Sequence, residues 1–195
     1  MLSQIDGAML AEAFSSEHRS AAAWAGEIVA GMLAPRQWTT RFAVQAEGQR
    51  VLIPARLHFA SERLLVTESD EAWRFARALQ TRSNDGFERQ RAARDVLGDL
   101  RPSTAPFIVA LVGEYIVEIL EDIFVALTPE NAQTLAAFVV QNEAYWSTTK
   151  RRVMSYWDVY YRWNQSSETR PSFKRNEYIG FKIIERLEAA AFGSA

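Results

Sequence analysis

The chain of 195 residues contains no cysteine, two histidines, and three lysines among its 22 basic side chains. The absence of cysteine excludes disulfide scaffolds, thiol nucleophiles, iron–sulfur clusters and zinc sites that need thiolates. His18 and His58 lie far apart in the sequence, so neither an HExxH zinc motif nor a local histidine cluster is present. A P-loop or Schiff-base lysine would have to be Lys150, Lys174 or Lys182, because no lysine precedes residue 150.

Glycine-rich motifs are also lacking. The nine glycines form no GxGxxG, GxxxxGK or GxSxG pattern, so the signatures of dinucleotide-binding loops, phosphate loops and serine nucleophile elbows are missing. The sequence therefore predicts no cofactor, and no catalytic residue is nominated by a motif.

The bulk composition is that of a globular protein, with 48% hydrophobic and 24% charged residues. The length suits one domain, and no shift in composition marks a linker, so we predict a single domain over residues 1–195. The predicted class is α+β and mainly α: a helical bundle with a small three-stranded antiparallel β-meander inserted near residues 38–67.

The strand predictions rest on alternating apolar and polar residues. Residues 38–46 and 51–59 alternate in this way, and the segment 47–50 between them contains Gly48, which suits a hairpin turn. A third strand is predicted at residues 63–67. Pro54 indicates an edge strand or a bulge in the second strand.

Helices are predicted over most of the remaining chain. Thr128 is a good N-cap and Pro129 suits the first helical position of one long helix. The predicted helices cover residues 3–14, 16–33, 70–79, 87–100, 105–127, 129–164 and 175–191.

The most apolar segment, residues 105–127, is long enough to cross a bilayer but contains Glu114, Glu118, Glu121 and Asp122. Each carboxylate near a helix centre costs about 2.5–3.5 kcal/mol on insertion scales, so we predict a buried helix and no membrane partner. The first twenty residues have no basic region followed by a long apolar run. We therefore expect no signal peptide and a cytoplasmic, bacterial protein.

Those four carboxylates fall on one face of the predicted helix and form the first candidate site. The functional interpretation is a carboxylate cluster for a metal ion such as Mg²⁺, with Glu114 and Glu118 as candidate ligands. The structural interpretation is a solvated face, or a face paired with arginines from a neighbouring helix.

The second candidate is the polar turn at residues 81–86 and the helix that follows it. Arg82, Asn84, Asp85 and Arg89 bring polar side chains and backbone donors to a helix N-terminus, a setting that suits a phosphate or carboxylate. The alternative is an ordinary helix cap with arginines on solvated faces.

The third candidate is the aromatic and basic segment at residues 145–164. Residues 145–195 carry nine basic and five acidic side chains, against 13 and 19 in residues 1–144. Arg151, Arg152, Trp157 and Tyr161 are its candidate binding residues, because bases stack on rings and phosphates pair with guanidinium groups. The alternatives are rings in the core and rings at a protein interface.

No single activity follows from these features. The leading prediction is a non-catalytic intracellular interaction protein that self-associates or joins a complex with another protein. One alternative is a nucleic-acid-binding protein that uses the C-terminal third. The other is an enzyme that uses the acidic stripe or the Arg82–Asp85 turn.

Overall fold

The computed structural model describes residues 2–60, 70–162 and 172–193. The chain is mainly helical with a small antiparallel sheet, which confirms the predicted α+β, mainly α class. In chain order the elements are β1 (Leu2–Gln4), α1 (Gly7–Ala11), α2 (Arg19–Met32), β2 (Trp38–Ala46), β3 (Gln49–Pro54), α3 (Asp70–Gln80), α4 (Gly86–Gly98), α5 (Ala105–Val112), α6 (Val117–Val125), α7 (Pro129–Gln141), α8 (Glu143–Tyr156) and α9 (Ile179–Phe192).

The predicted hairpin is formed by β2 and β3, which pair antiparallel from Arg41 opposite Pro54 to Ala46 opposite Gln49. Glu47 and Gly48 make the turn with φ of 51° and 73°, the left-handed values that match the twist of two-residue hairpins. β3 ends at Pro54, which cannot donate to a further ladder.

The predicted third strand at residues 63–67 lies outside the described residues. β1 instead pairs with the beginning of β2, with Ser3 opposite Thr39.

The prediction of a helix over residues 3–14 is wrong because Asp6, and not Ser3, provides the cap. The Asp6 carboxylate accepts a hydrogen bond from the Met9 backbone N–H at 2.7 Å, so α1 begins at Gly7. α1 and α2 approach closely where Gly26 meets Gly7: a Cβ on Gly26 would lie 2.2 Å from the Gly7 carbonyl oxygen.

The single helix predicted over residues 105–127 is also wrong, because the chain breaks it between α5 and α6. Every residue of α5 is buried, so a continuous helix would carry the Glu114 carboxylate through the apolar core. The helix ends at Gly113, and Glu114 turns instead toward two arginines described below. The break satisfies a buried charge that the helical periodicity does not reveal.

A second break divides the predicted long helix into α7 and α8. Thr128 caps α7, as predicted, by accepting from the Asn131 N–H at 3.3 Å. At Asn142 the backbone leaves helical geometry, and the side chain accepts from the Gln45 N–H at 2.7 Å and donates to the Gln45 carbonyl at 2.9 Å. These bonds attach the junction to β2.

α8 continues into one π-helical turn, Trp157–Tyr161, in which the Arg162 N–H donates to the Trp157 carbonyl at 2.8 Å.

None of the described helices is by itself long and apolar enough to cross a membrane. α6 and α7, which meet at 117°, satisfy the length and composition criteria only as a bent pair.

Candidate anion-binding site

A cavity of about 300 Å³ lies where the segment after β3, the turn before α4, the α5–α6 break and α8 meet. This volume is at the lower end of the range for small-molecule sites, roughly 300–1,000 Å³. Three arginines and one glutamate supply its charged lining, and we call it the arginine cavity; these residues are Arg56, Arg82, Arg152 and Glu114.

Glu114 is buried and is held by two guanidinium groups. Arg56 Nη2 donates to Glu114 Oε1 at 2.8 Å, and Arg89 Nη2 lies 3.7 Å from Oε2. Arg56 and Arg89 also share one backbone acceptor, since their Nη1 atoms donate to the Ser83 carbonyl at 3.1 and 2.8 Å. The turn before α4 therefore fixes both arginines against the carboxylate.

Arg82 is the most deeply buried arginine of the cavity, with 5% of its surface exposed. Its Nε and Nη2 atoms donate to the carbonyls of Pro54 and Ala55 at 3.2 and 2.6 Å. Its Nη1 atom is buried and finds no hydrogen-bond partner in the described parts of the chain.

The arginines carry an electrostatic cost. Burial lowers the pKa of Arg82 from 12.5 to about 10, with Glu114 partly opposing the shift. Burial also lowers the pKa of Arg89, whose Nε atom likewise has no partner among the described residues. Both shifts mean that burial makes the charged form of these two side chains less favourable than it is in water.

Arg152 lies at the exposed side of the cavity on α8. α8 approaches the α5–α6 break closely here, because Gly113 has no side chain: a Cβ on Gly113 would lie 3.3 Å from Arg152 Cδ. The glycine that ends α5 thus also makes room for the aliphatic stem of Arg152.

The balance of charge around the cavity is positive. Arg56, Arg82, Arg89 and Arg152 face one carboxylate, Glu114, and Asp85 adds only a weaker interaction with Arg89. Even with Asp85 included, the described residues around the cavity carry two more positive than negative charges. The arrangement can therefore accept a group with one or two negative charges.

The four residues predicted at the polar turn have two different roles in the structure. Arg82 lines the cavity and Arg89 holds its glutamate, whereas the other two organise the backbone. The Asp85 carboxylate accepts from the Glu88 N–H at 2.8 Å and caps α4, and Asn84 Oδ1 accepts from the Phe59 N–H at 3.3 Å.

Of the four candidate residues in the aromatic segment, one lines the cavity and three do not. Arg152 reaches the cavity, while Arg151 is exposed and donates to Thr148 at 3.0 Å. The rings of Trp157 and Tyr161 are buried: Trp157 Nε1 donates to the Phe173 carbonyl at 2.9 Å and the Tyr161 hydroxyl donates to the Tyr115 carbonyl.

The acidic stripe does not exist as one helical face, because Glu114 lies in the break and Glu118 is exposed on α6. Asp122 accepts from Arg94 and Gln90 at 2.8 and 2.7 Å. Across residues 2–60, 70–162 and 172–193, no three His, Cys, Asp or Glu side chains are grouped to hold a metal ion.

Arg56 and Tyr156 also line the cavity, and no sequence pattern marks either residue as part of a site. Arg56 follows Pro54 at the end of a strand and belongs to no motif. Tyr156 is one of several rings on α8, and helical periodicity does not distinguish it from its buried neighbours.

Comparison of the chain with protein-family models, curated proteins and solved structures finds no match.

Proposed function

We propose that the protein is a binding protein whose arginine cavity takes the phosphate or carboxylate group of a small anionic ligand. The observation that carries the proposal is the charge of the cavity lining, in which Arg56, Arg82 and Arg152 face one carboxylate, Glu114, among the described residues. The proposal differs from the leading prediction of a protein that self-associates or joins a complex, and it develops the anion site predicted at the polar turn.

The energetic argument is that buried positive charge in excess of its countercharge is costly. An uncompensated buried ion destabilises a fold by several kcal/mol, so a surplus of buried arginine is retained at a cost to stability. An oxyanion offers several acceptor lone pairs and negative charge to guanidinium forks, which bind such groups in a bidentate manner. The negative charge of a bound group would offset part of the cost that lowers the pKa of Arg82 and Arg89.

The test is thermal unfolding in increasing inorganic phosphate, with sodium chloride adjusted to hold the ionic strength constant. A ligand at one hundred times its Kd stabilises the folded state by about 2.7 kcal/mol, which raises Tm by roughly 5–10 °C for a chain of this size. An unchanged Tm at saturating phosphate and sulfate would contradict the proposal.

A matched pair of variants assigns the effect to the cavity. Arg152→Gln removes a cavity arginine, and Arg151→Gln removes the same charge from the neighbouring residue outside the cavity. Because a charge-assisted hydrogen bond contributes about 1.5–3 kcal/mol, we expect Arg152→Gln to weaken phosphate binding by about tenfold or more. Arg151→Gln should change it less than twofold, and equal effects would indicate nonspecific screening.

We also retain self-association as a second candidate, because several large apolar side chains are exposed. Phe87 is 78% exposed at the beginning of α4, and Val125 is 84% exposed at the end of α6. Sedimentation over a wide concentration range tests this candidate, and a strict monomer throughout would contradict it. The cytoplasmic location stays a prediction from the sequence.

A further inference from the structure

Three tyrosines form a cluster at the edge of the arginine cavity. Tyr156 lines the cavity, and its ring centroid lies 5.9 Å from that of Tyr115 and 6.0 Å from that of Tyr160. The centroids of Tyr115 and Tyr160 are 5.6 Å apart. We call these three residues the tyrosine cluster.

Two rings of the tyrosine cluster are exposed, whereas two neighbouring rings on the described part of the aromatic segment are buried. Tyr115 is 42% exposed and Tyr160 is 36% exposed, whereas Trp157 and Tyr161 are buried. Two exposed rings therefore lie beside Tyr156, which lines the cavity. Exposed aromatic faces are the surfaces on which planar rings such as nucleobases stack.

The backbone joins the two features directly. Glu114 is buried in the cavity and Tyr115, the next residue, is exposed in the tyrosine cluster. The α5–α6 break thus places a charged residue of the cavity and a ring of the tyrosine cluster at consecutive positions. α8 likewise brings a charged residue and a ring together, because Arg152 and Tyr156 are four residues apart and both line the cavity.

We propose that the ligand of the arginine cavity is a nucleotide-type phosphate monoester, whose phosphate binds the arginines and whose base stacks on the tyrosine cluster. This inference rests on the proposed function and specifies the ligand for the same site. A terminal phosphate suits a cavity that is lined from several elements, because an internal phosphodiester would need the strand both to enter and to leave it. The dianionic phosphate also matches the excess of two positive charges that the described residues around the cavity carry.

The experiment is calorimetric titration of the full chain with a nucleoside 5′-monophosphate, the matching nucleoside and inorganic phosphate at one ionic strength. We expect the nucleotide to bind at least about tenfold more tightly than phosphate, because stacking adds to the phosphate contacts. The nucleoside alone should bind more weakly than either.

Two variants separate the ring from the charge. Tyr156→Leu keeps an apolar side chain but removes the ring, so the ratio of nucleotide to phosphate affinity should fall toward one. Trp24→Leu, which removes an exposed ring from α2, is the control and should leave the ratio unchanged within twofold. A ratio that Tyr156→Leu does not lower overturns the inference.

The remaining outcomes distinguish the two proposals. Phosphate binding with no gain for the nucleotide overturns the ligand class but leaves the anion site intact, whereas no binding of either probe overturns both. A short single strand with a 5′-phosphate should bind like the mononucleotide, and the same strand without it should bind much more weakly. Equal binding of the two strands would overturn the terminal-phosphate assignment.

Discussion

Glu114 accepts a hydrogen bond from Arg56 at 2.8 Å, although 58 residues separate them in the sequence. Among the described residues that line the arginine cavity, Glu114 is the one carboxylate. Replacing it by glutamine, which is similar in shape, therefore leaves the surrounding arginines without their countercharge. We expect Glu114→Gln to lower the free energy of unfolding by about 3–5 kcal/mol in anion-free buffer, as measured by urea denaturation.

The same variant should respond more strongly to anions than the natural chain. With the competing carboxylate removed, added phosphate is expected to bind more tightly and to restore part of the lost stability. A matched control is Glu118→Gln on the exposed face of α6, which should change the free energy of unfolding by less than about 0.5 kcal/mol. If phosphate does not change the free energy of unfolding of the Glu114→Gln variant, Glu114 does not act as the countercharge of the cavity arginines.

Two glycines of α2 should respond to alanine with opposite signs. A Cβ on Gly26 would overlap the Gly7 carbonyl, so Gly26→Ala must separate α1 from α2 and is expected to cost about 3 kcal/mol or more. A Cβ on Gly31 meets no described atom within 4 Å, and Gly31→Ala should stabilise the helix by about 0.5–1 kcal/mol. Thermal unfolding of both variants checks the pair; a tolerated Gly26→Ala would show that the helices do not cross there.

Tyr178 and Tyr161 are both buried, but within the described parts of the chain only the Tyr161 hydroxyl has a hydrogen-bond partner. Tyr161 donates to the Tyr115 carbonyl, whereas the Tyr178 hydroxyl has no partner among the described residues. Tyr178→Phe should therefore stabilise the protein by about 1 kcal/mol at neutral pH, and Tyr161→Phe should destabilise it by a similar amount. Chemical denaturation of the two variants measures the difference, and effects of the same sign would refute it.

Alkaline pH provides a separate test of Tyr178. Burial, with a contribution from Tyr161, raises the pKa of the Tyr178 phenol. The unfolded phenol, with an ordinary pKa near 10, loses its proton first, so the free energy of unfolding must fall as pH rises above about 10. Tyr178→Phe should reduce that decline, as measured by urea denaturation between pH 9 and about 11. An unchanged slope would mean that other groups cause the decline.

Asn142 is expected to be essential to the junction of α7 with α8. Its side chain pairs with both backbone groups of Gln45 and donates to the Phe138 carbonyl at 2.9 Å. Asn142→Ala leaves these groups unpaired in a largely buried place and should cost about 2–4 kcal/mol. Gln133→Ala, at an exposed position of α7, is the control and should remain within about 0.5 kcal/mol.

The features that could be predicted from the sequence are those set by neighbouring residues. Thr128 and Pro129 determine the beginning of α7, and Glu47 with Gly48 form the hairpin turn, because caps and tight turns need only a few adjacent side chains. The polar turn contributes Arg82 to the cavity, but its neighbour Asp85 serves as a cap.

The features that could not be predicted depend on distant partners. Helical periodicity continues through Glu114, and although Gly113 permits a helix end, the arginines that bind the Glu114 carboxylate lie on other elements and are not evident from the sequence. Asn142 is equally inconspicuous in the sequence, since its partner Gln45 lies 97 residues away. Aromatic rings on α8 look alike in a periodic pattern, and only packing shows which are buried.

The break between α5 and α6 has a consequence for how binding competence arises. The cavity takes residues from Phe42 to Tyr156, so its parts are drawn from most of the length of the chain and meet only when sheet, turn, break and α8 are all assembled. A fragment that ends before α8 would lack Arg152 and have nothing to close the cavity. An anion would thus bind only when all of these elements are folded and packed together. A substitution far from the cavity that destabilises any one of them would therefore weaken binding.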